Sequence, residues 1–225
     1  MLADIRRTIA EACQRANRSP EEVRVIGVTK TVQPDAIAAL RTAGLHDFGE
    51  NRWQHAKEML TAPGAEGATW HFIGHLQQNK VKYVVRHFSW IHSVDSLELA
   101  KAISDQAVKV GKAIHVLIQV NVSGEEQKYG LRPEQVPQVA TEVSALPGLN
   151  LRGLMTMAPH TEDQAWIRSV FRGLKDLQRD LLAAGFAPEE VAELSMGMSE
   201  DFPIAVEEGA SMVRIGRRLM HGQAL

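Results

Sequence analysis

Lys30 ends the β-branched run VRVIGVTK (23–30), where alternation sets Ile26, Val28 and Lys30 on one face and Val25 and Thr29 on the other. If the first face lines a barrel, Lys30 stands at its upper rim. Loss of water there turns an amine into a nucleophile suited to Schiff-base formation. The plain alternative is a lysine that snorkels from the strand end into solvent. Arg214 lies inside MVRIG (212–216), between Val213 and Ile215, so the guanidinium turns inward as its neighbours turn out. Burying it is costly unless it meets an anion or a good acceptor, either a ligand or an internal carboxylate such as Glu50. Gly216 follows, where a missing side chain admits a ligand to backbone N–H groups. The segment Ser195-Met-Gly-Met-Ser199 adds a hydroxyl, a glycine and a helix entry, a combination that suits a phosphate. Glu200 and Asp201 beside it read equally as ordinary capping acids.

These segments need elements to aim them. The first seventeen residues pattern as a helix, with Leu2, Ile5, Ile9, Ala12 and Cys13 on one side. Eight short runs then alternate with helical stretches: VRVIGVTK (23–30), HDFGEN (46–51), WHFIG (70–74), WIHSV (90–94), HVLIQVNV (115–122), LRGLMTM (151–157), ELSM (193–196) and MVRIG (212–216). Pro34 with Gly44, Asp95 with Gly111, Pro133, and Glu162 with Gly185 punctuate the helices. Ser199 reads as the N-cap of a short helix closed at Gly209. This alternation predicts parallel βαβ units. Eight of them predict an α/β fold, a single-domain (β/α)8 TIM barrel over residues 1–225 with an extra N-terminal helix. An open doubly wound sheet is the rival, but no Gly-x-Gly-x-x-Gly follows the first run. Only nine residues follow the last strand, so the N-terminal helix is expected to cover that side. Strand ends of such a barrel converge on one mouth: Lys30, Glu50 with Asn51, Gly74 with His75, Val94, Asn121, Met157, Ser195 and Gly216.

Composition narrows the classes. Lys plus Arg is 25 against 27 for Asp plus Glu, a net charge of −2, so no basic face for a duplex is implied. The longest stretch free of charged residues is thirteen, Gly67 to Asn79, too short to cross a membrane. Asp4 and Glu11 interrupt what a signal peptide keeps apolar. The lone Cys13 excludes an internal disulfide and any multi-cysteine metal site. A cytoplasmic protein is expected, with no nucleic-acid, membrane or metal partner.

An amine, an inward arginine and a phosphate cup on adjoining strands suit pyridoxal 5′-phosphate (PLP). Its aldehyde, ring nitrogen and phosphate would meet Lys30, Arg214, and Ser195 with Gly216. A sugar-phosphate aldolase with a Schiff-base lysine is the rival reading. The segments VTKT around Lys30, FGENR (48–52), WHFIGHLQQNK (70–80), VLIQVNVSGEEQKYG (116–130), RGLMTMAP (152–159), LSMGMSEDF (194–202) and VRIGRRLMHG (213–222) run the length of the chain in order. Together they resemble the YggS/PROSC family of PLP-binding proteins, single-domain relatives of the alanine racemase barrel (PLP fold type III). The resemblance implies that Lys30 carries the Schiff base, that Asn51 approaches the ring hydroxyl and that Arg214 approaches the ring nitrogen. It also implies that Ser195 and the amides of Gly216 and Arg217 hold the phosphate. The family commonly has Thr after the last-strand glycine; Arg217 stands there instead, so its side chain either supplies charge or points away.

Two functions compete, a racemase-like enzyme and a PLP carrier. Guanidinium, with a pKa above about 12, cannot readily protonate the ring nitrogen, which leaves the ring a weak electron sink. A racemase also needs an acid or base on each face of the substrate carbon. The only tyrosines are Tyr83 in a helical stretch and Tyr129 in a loop. Alanine racemases take that second group, a tyrosine, from an additional β-domain, and no such domain is expected here. The carrier reading is preferred: no catalytic residue, PLP homeostasis with apo PLP-enzymes as recipients, and a monomer. His75 is expected at the rim and Met155 and Met157 in the barrel lining. Trp53, Trp70, Trp90 and Trp166 read as packing anchors and Lys128 as solvated. The loops after the third and fifth strands are expected to be short, leaving the mouth partly open.

Overall fold

A computed structural model describes residues 1–220, in which eight parallel strands close into a barrel in chain order. The strands are β1 (Arg24–Val28), β2 (Asp47–Glu50), β3 (Thr69–Phe72), β4 (Trp90–Val94), β5 (Ile114–Gln119), β6 (Leu149–Met155), β7 (Glu193–Ser195) and β8 (Met212–Ile215). Around them lie α1 (Leu2–Arg15), α2 (Ala36–Thr42), α3 (Trp53–Met59), α4 (Val81–His87), α5 (Leu97–Lys109), α6 (Val136–Ser144), α7 (Gln164–Ala183), α8 (Phe202–Glu207) and α9 (Arg217–Met220). His221 and Gly222, the end of the closing sequence motif, lie outside the described residues.

Local chemistry sets the helix ends. Asp163 caps α7, its Oδ1 accepting from the N–H groups of Ala165 and Trp166 at 3.0 and 3.1 Å. Ile167, Val170, Phe171, Leu174, Leu177 and Leu181 then bury one helical stripe against the barrel. The N-cap of α8 is Asp201 rather than Ser199. The chain first turns so that the Asp201 carboxylate accepts from the Met198 N–H at 2.5 Å, and only then does the helix begin.

Two apolar layers hold the barrel. Ile26, Trp90, Leu117, Met155 and Met212 fill its interior, with Met157 packed against them. Phe48, Phe72, Ile91, Leu154 and Val213 face the helices. The ring closes where β1 pairs with β8, Ile26 beside Arg214. As expected, α1 covers this seam's flank: Arg15 Nε lies 2.6 Å from Glu207 Oε1, and Arg18 donates to the carbonyls of Val206 and Ala210 at 2.7 and 3.0 Å.

Between β5 and β6 the register shifts after Val116, where Leu117 pairs with Gly153. This bulge returns Met155 to the interior. Gly153 sits at φ +149°, and a Cβ on it would fall inside the Glu193 carbonyl of β7. Backbone on a neighbouring strand cannot yield cheaply. Gly153→Ala is therefore expected to cost at least about 3 kcal/mol of unfolding free energy, combining left-handed strain with strand displacement. A urea titration measures it, and parental stability would refute the tight strand contact.

Candidate functional site

The mouth of the barrel is bounded by the segments that follow each strand. Lys30 comes two residues after β1, and its side chain is exposed. Inward alternation thus holds through Val28 and ends there. The Thr29 N–H donates to the Gly49 carbonyl at 3.1 Å, its hydroxyl bonds the Glu50 carboxylate, and the chain turns before Lys30. The expected desolvation of the amine on the barrel wall is not found. The lysine stands in solvent at the rim.

Asn51 follows β2 and is half-buried, its amide making no hydrogen bond among the described residues. Its backbone presses on Gly74, where a Cβ would come 2.7 Å from the Asn51 Cα. That contact sets the loops after β2 and β3 against each other. Across the seam, the N–H groups of Gly216 and Arg217 have no acceptor among the described residues. The Arg217 side chain turns away to an exposed ion pair, Nη2 to Glu200 Oε1 at 2.9 Å.

Arg214 is 4% exposed and reaches no carboxylate within ion-pair distance among the described residues. Glu50, its possible internal partner, faces the helix layer instead. There Oε1 meets Thr29 and His55 Nδ1 (2.9 Å), Oε2 has no partner among the described residues, and burial pushes the carboxyl up. The guanidinium donates to Ser195 Oγ at 2.6 Å and to the Thr156 carbonyl at 2.9 Å. Burial pushes it down to about 10, with Asp201 pulling the other way, so it is still a cation at neutral pH. Ser195 is fully buried, and its hydroxyl also meets His92 Nδ1 at 2.8 Å. The Ser195 hydroxyl, expected at the phosphate, is here engaged by Arg214 on one side and His92 on the other.

Behind Ser195 lies a feature that inspection of strand ends missed. His92 Nε2 is 2.9 Å from His71 Nδ1, and His71 Nε2 is 3.0 Å from Asp47 Oδ1. Both rings are buried on the barrel axis. Burial lowers both imidazoles below their ordinary value, His92 well below, and outweighs the opposing pull of Asp47 on His71.

His75 is a rim residue, as expected. It lies 3.3 Å from Asp95 and stacks on Tyr129 with ring centroids 4.0 Å apart. The loops after β3 and β5 thus meet over one side of the mouth rather than leaving it clear. Lys128 is half-buried and pairs with Glu125. Of the tryptophans, Trp70 and Trp90 are buried and Trp53 is half-buried, but Trp166 is exposed. Among the described residues no helix is long and apolar enough to cross a membrane, and no group of three acidic, His or Cys side chains is set to hold a metal ion.

The profile of the alanine racemase N-terminal domain matches residues 1–222. A relative from Pseudomonas aeruginosa, named pyridoxal phosphate homeostasis protein, is 40% identical over 218 residues, covering 97% of this chain and 92% of its own. One of the same name from Aquifex aeolicus is 41% identical, covering 97% and 95%. The structure of PipY from Synechococcus elongatus with PLP bound superposes with a TM-score of 0.80 at 35% identity, covering 94% of this chain and 99% of PipY.

The two buried imidazoles give the site an acid limit. Each is neutral when folded and takes a proton near the ordinary value of 6.5 when unfolded. Unfolding then binds protons, so their contribution to stability falls as pH drops below about 6.5, until the depressed folded values are reached. Burial raises the carboxyls of Glu50 and Asp201, which oppose this slope because the folded form keeps their protons. The test is therefore a difference: His92→Gln should flatten the loss of stability between about pH 6.5 and 5, read by denaturation at a series of pH values. Parallel curves would mean that His92 takes up its proton in the fold as readily as in the unfolded chain.

Proposed function

From the premise that the chain belongs to the alanine racemase N-terminal-domain family, among its pyridoxal phosphate homeostasis proteins, we propose that it binds PLP at the barrel mouth and buffers or delivers it in the cytoplasm. The donor set fits that cofactor. Two backbone amides at Gly216 and Arg217 and the side-chain amide of Asn51, none partnered among the described residues, suit a phosphate and the ring hydroxyl, and Arg214 suits the ring nitrogen. When bound, PLP supplies an aldehyde carbon that amines attack reversibly and a ring that withdraws electrons. Lys30 Nζ, exposed at the rim, is the amine that would hold the aldehyde. Ser195 keeps the guanidinium in place from beneath.

Arg214 carries the reading. A charged guanidinium with no carboxylate within ion-pair distance among the described residues would not readily give the ring nitrogen a proton. Arg214 thus supplies no proton that would make the ring a strong electron sink for a substrate carbanion. The protein then acts as a monomer that gives PLP up to apo PLP-enzymes, because condensation with a lysine reverses with water or another amine. A racemase-like reading draws on one observation, Tyr129 stacked on His75 beside the mouth, halfway around the barrel from β1. That pair could act as a second acid or base.

Borohydride reduction of the PLP-loaded protein should fix a pyridoxyl group on Lys30, and Lys30→Ala should abolish it with the fold retained. An adduct on Lys128 would move the site. Pyridoxal should bind at least about tenfold more weakly than PLP, since charge-assisted bonds to phosphate are worth roughly 1.5–3 kcal/mol each. Gly216→Val should weaken PLP further by filling the space beside the amides. No solvent deuterium should enter the α-carbon of amino acids at enzyme-like rates. Exchange that stops in both Lys30→Ala and Tyr129→Phe would establish the racemase reading instead.

A further inference from the structure

The contacts behind Arg214 fix the direction of every proton among them. Arginine only donates, so the Ser195 oxygen accepts from Arg214 Nη1 at 2.6 Å. The one serine proton is then left for His92 Nδ1 at 2.8 Å. A His92 ring that accepts at Nδ1 and stays neutral carries its proton on Nε2 and gives it to His71 Nδ1 at 2.9 Å. His71 in turn carries its proton on Nε2, facing Asp47 Oδ1 at 3.0 Å. The opposite tautomer pair would aim a bare imidazole nitrogen at a carboxylate and leave the serine proton with no acceptor. With neutral rings, one arrangement satisfies all four contacts.

The chain runs the length of the barrel. Asp47 opens β2 at the floor with its side chain 20% exposed, while Arg214 lies near the mouth and His71, His92 and Ser195 are fully buried between. Around Asp47 the floor holds Arg24, 3.9 Å from it, and Glu193, 3.9 Å from Arg24, with His115 and Arg152 (3.2 Å apart) nearby. Near the mouth the charged neighbour of Arg214 is Asp201. We propose that Asp47, His71 and His92 are positioning residues of the cofactor site. Through this one-way chain they commit Ser195 to accept from Arg214 and so hold the guanidinium against the pyridine ring, with Asp47 as its distant counter-charge. Hydrogen bonds aligned in this way polarise one another in a low-dielectric interior, so a break at one end is felt at the other. The proposal rests on the reading that Arg214 meets the ring.

The cofactor-free protein provides the first test. Two-bond ¹H–¹⁵N spectra of the histidine side chains at pH 7 should show His71 and His92 neutral, both protonated on Nε2. A charged ring, or an Nδ1–H tautomer on either, overturns the chain. The second test uses bound PLP. Arg214→Gln should move its visible absorption maximum and weaken binding by about tenfold or more. His92→Phe and Asp47→Leu should move the maximum in the same direction and weaken binding by roughly three- to tenfold. Asp47→Asn keeps an oxygen for the His71 proton and should fall closer to the parent than Asp47→Leu. Val143→Ala, a buried cut in α6 remote from the chain, controls for lost stability and should leave the spectrum unmoved. If Arg214→Gln changes nothing, the reading of Arg214 at the ring fails and the proposal fails with it. If Arg214→Gln acts but His92→Phe and Asp47→Leu bind PLP with parental spectrum and affinity, the reading stands and the positioning chain is wrong. Should these variants fail to fold, the tautomers of the parent protein decide.

Discussion

A buried cation that no carboxylate adjoins among the described residues governs this barrel. Taking a guanidinium out of water is tolerable only if its donors find acceptors and some negative charge balances it. Arg214 meets that demand through a serine oxygen, a backbone carbonyl and the more distant carboxylate of Asp201. The interior is shaped to suit. Instead of apolar layers alone, the barrel carries a polar column from Asp47 to Arg214, packed on its flanks by Ile26, Trp90, Leu117, Met155 and Met212. Those apolar neighbours keep water from competing for the column's hydrogen bonds, and the column keeps its polar groups satisfied.

In the function proposed above, the same cation separates holding a cofactor from using it. Facing a carboxylic acid, a pyridine ring becomes a cationic electron sink; facing a guanidinium, it stays neutral. A lysine in solvent, an arginine held by a serine, and two seam amides with no acceptor among the described residues are what the mouth offers a cofactor.

Much of this was legible from residue types and period. Alternating runs named all eight strands, and parity turned Arg214 inward because Val213 and Ile215 are plainly helix-facing. The same parity applies to His71 between Trp70 and Phe72, and to His92 beside Ile91, yet attention to strand ends passed over both mid-strand histidines. Lys30 shows the opposite failure. Alternation was carried two residues beyond the point where Thr29 bonds Glu50 and the strand stops. The Ser195 hydroxyl was legible as a polar group at a strand end but not in its direction, since its partners come from β4 and β8. Stacking of His75 on Tyr129 depends on two loops that only ring closure brings together, and no local pattern encodes it.

The seam between β1 and β8 has a consequence for how the molecule is made. Ile26 and Arg214 are neighbours in the ring but stand near opposite ends of the chain. Pairings so distant in sequence are the slowest to form, because the intervening loop must be closed before any contact repays it. During synthesis the first helix and strand emerge long before α8 and β8, the elements they must meet. Lys30 lies on one side of that last joint and Arg214, Gly216 and Arg217 on the other. In a chain still being made these groups are not yet brought together, so the binding site proposed above would be completed only late, when the ring shuts.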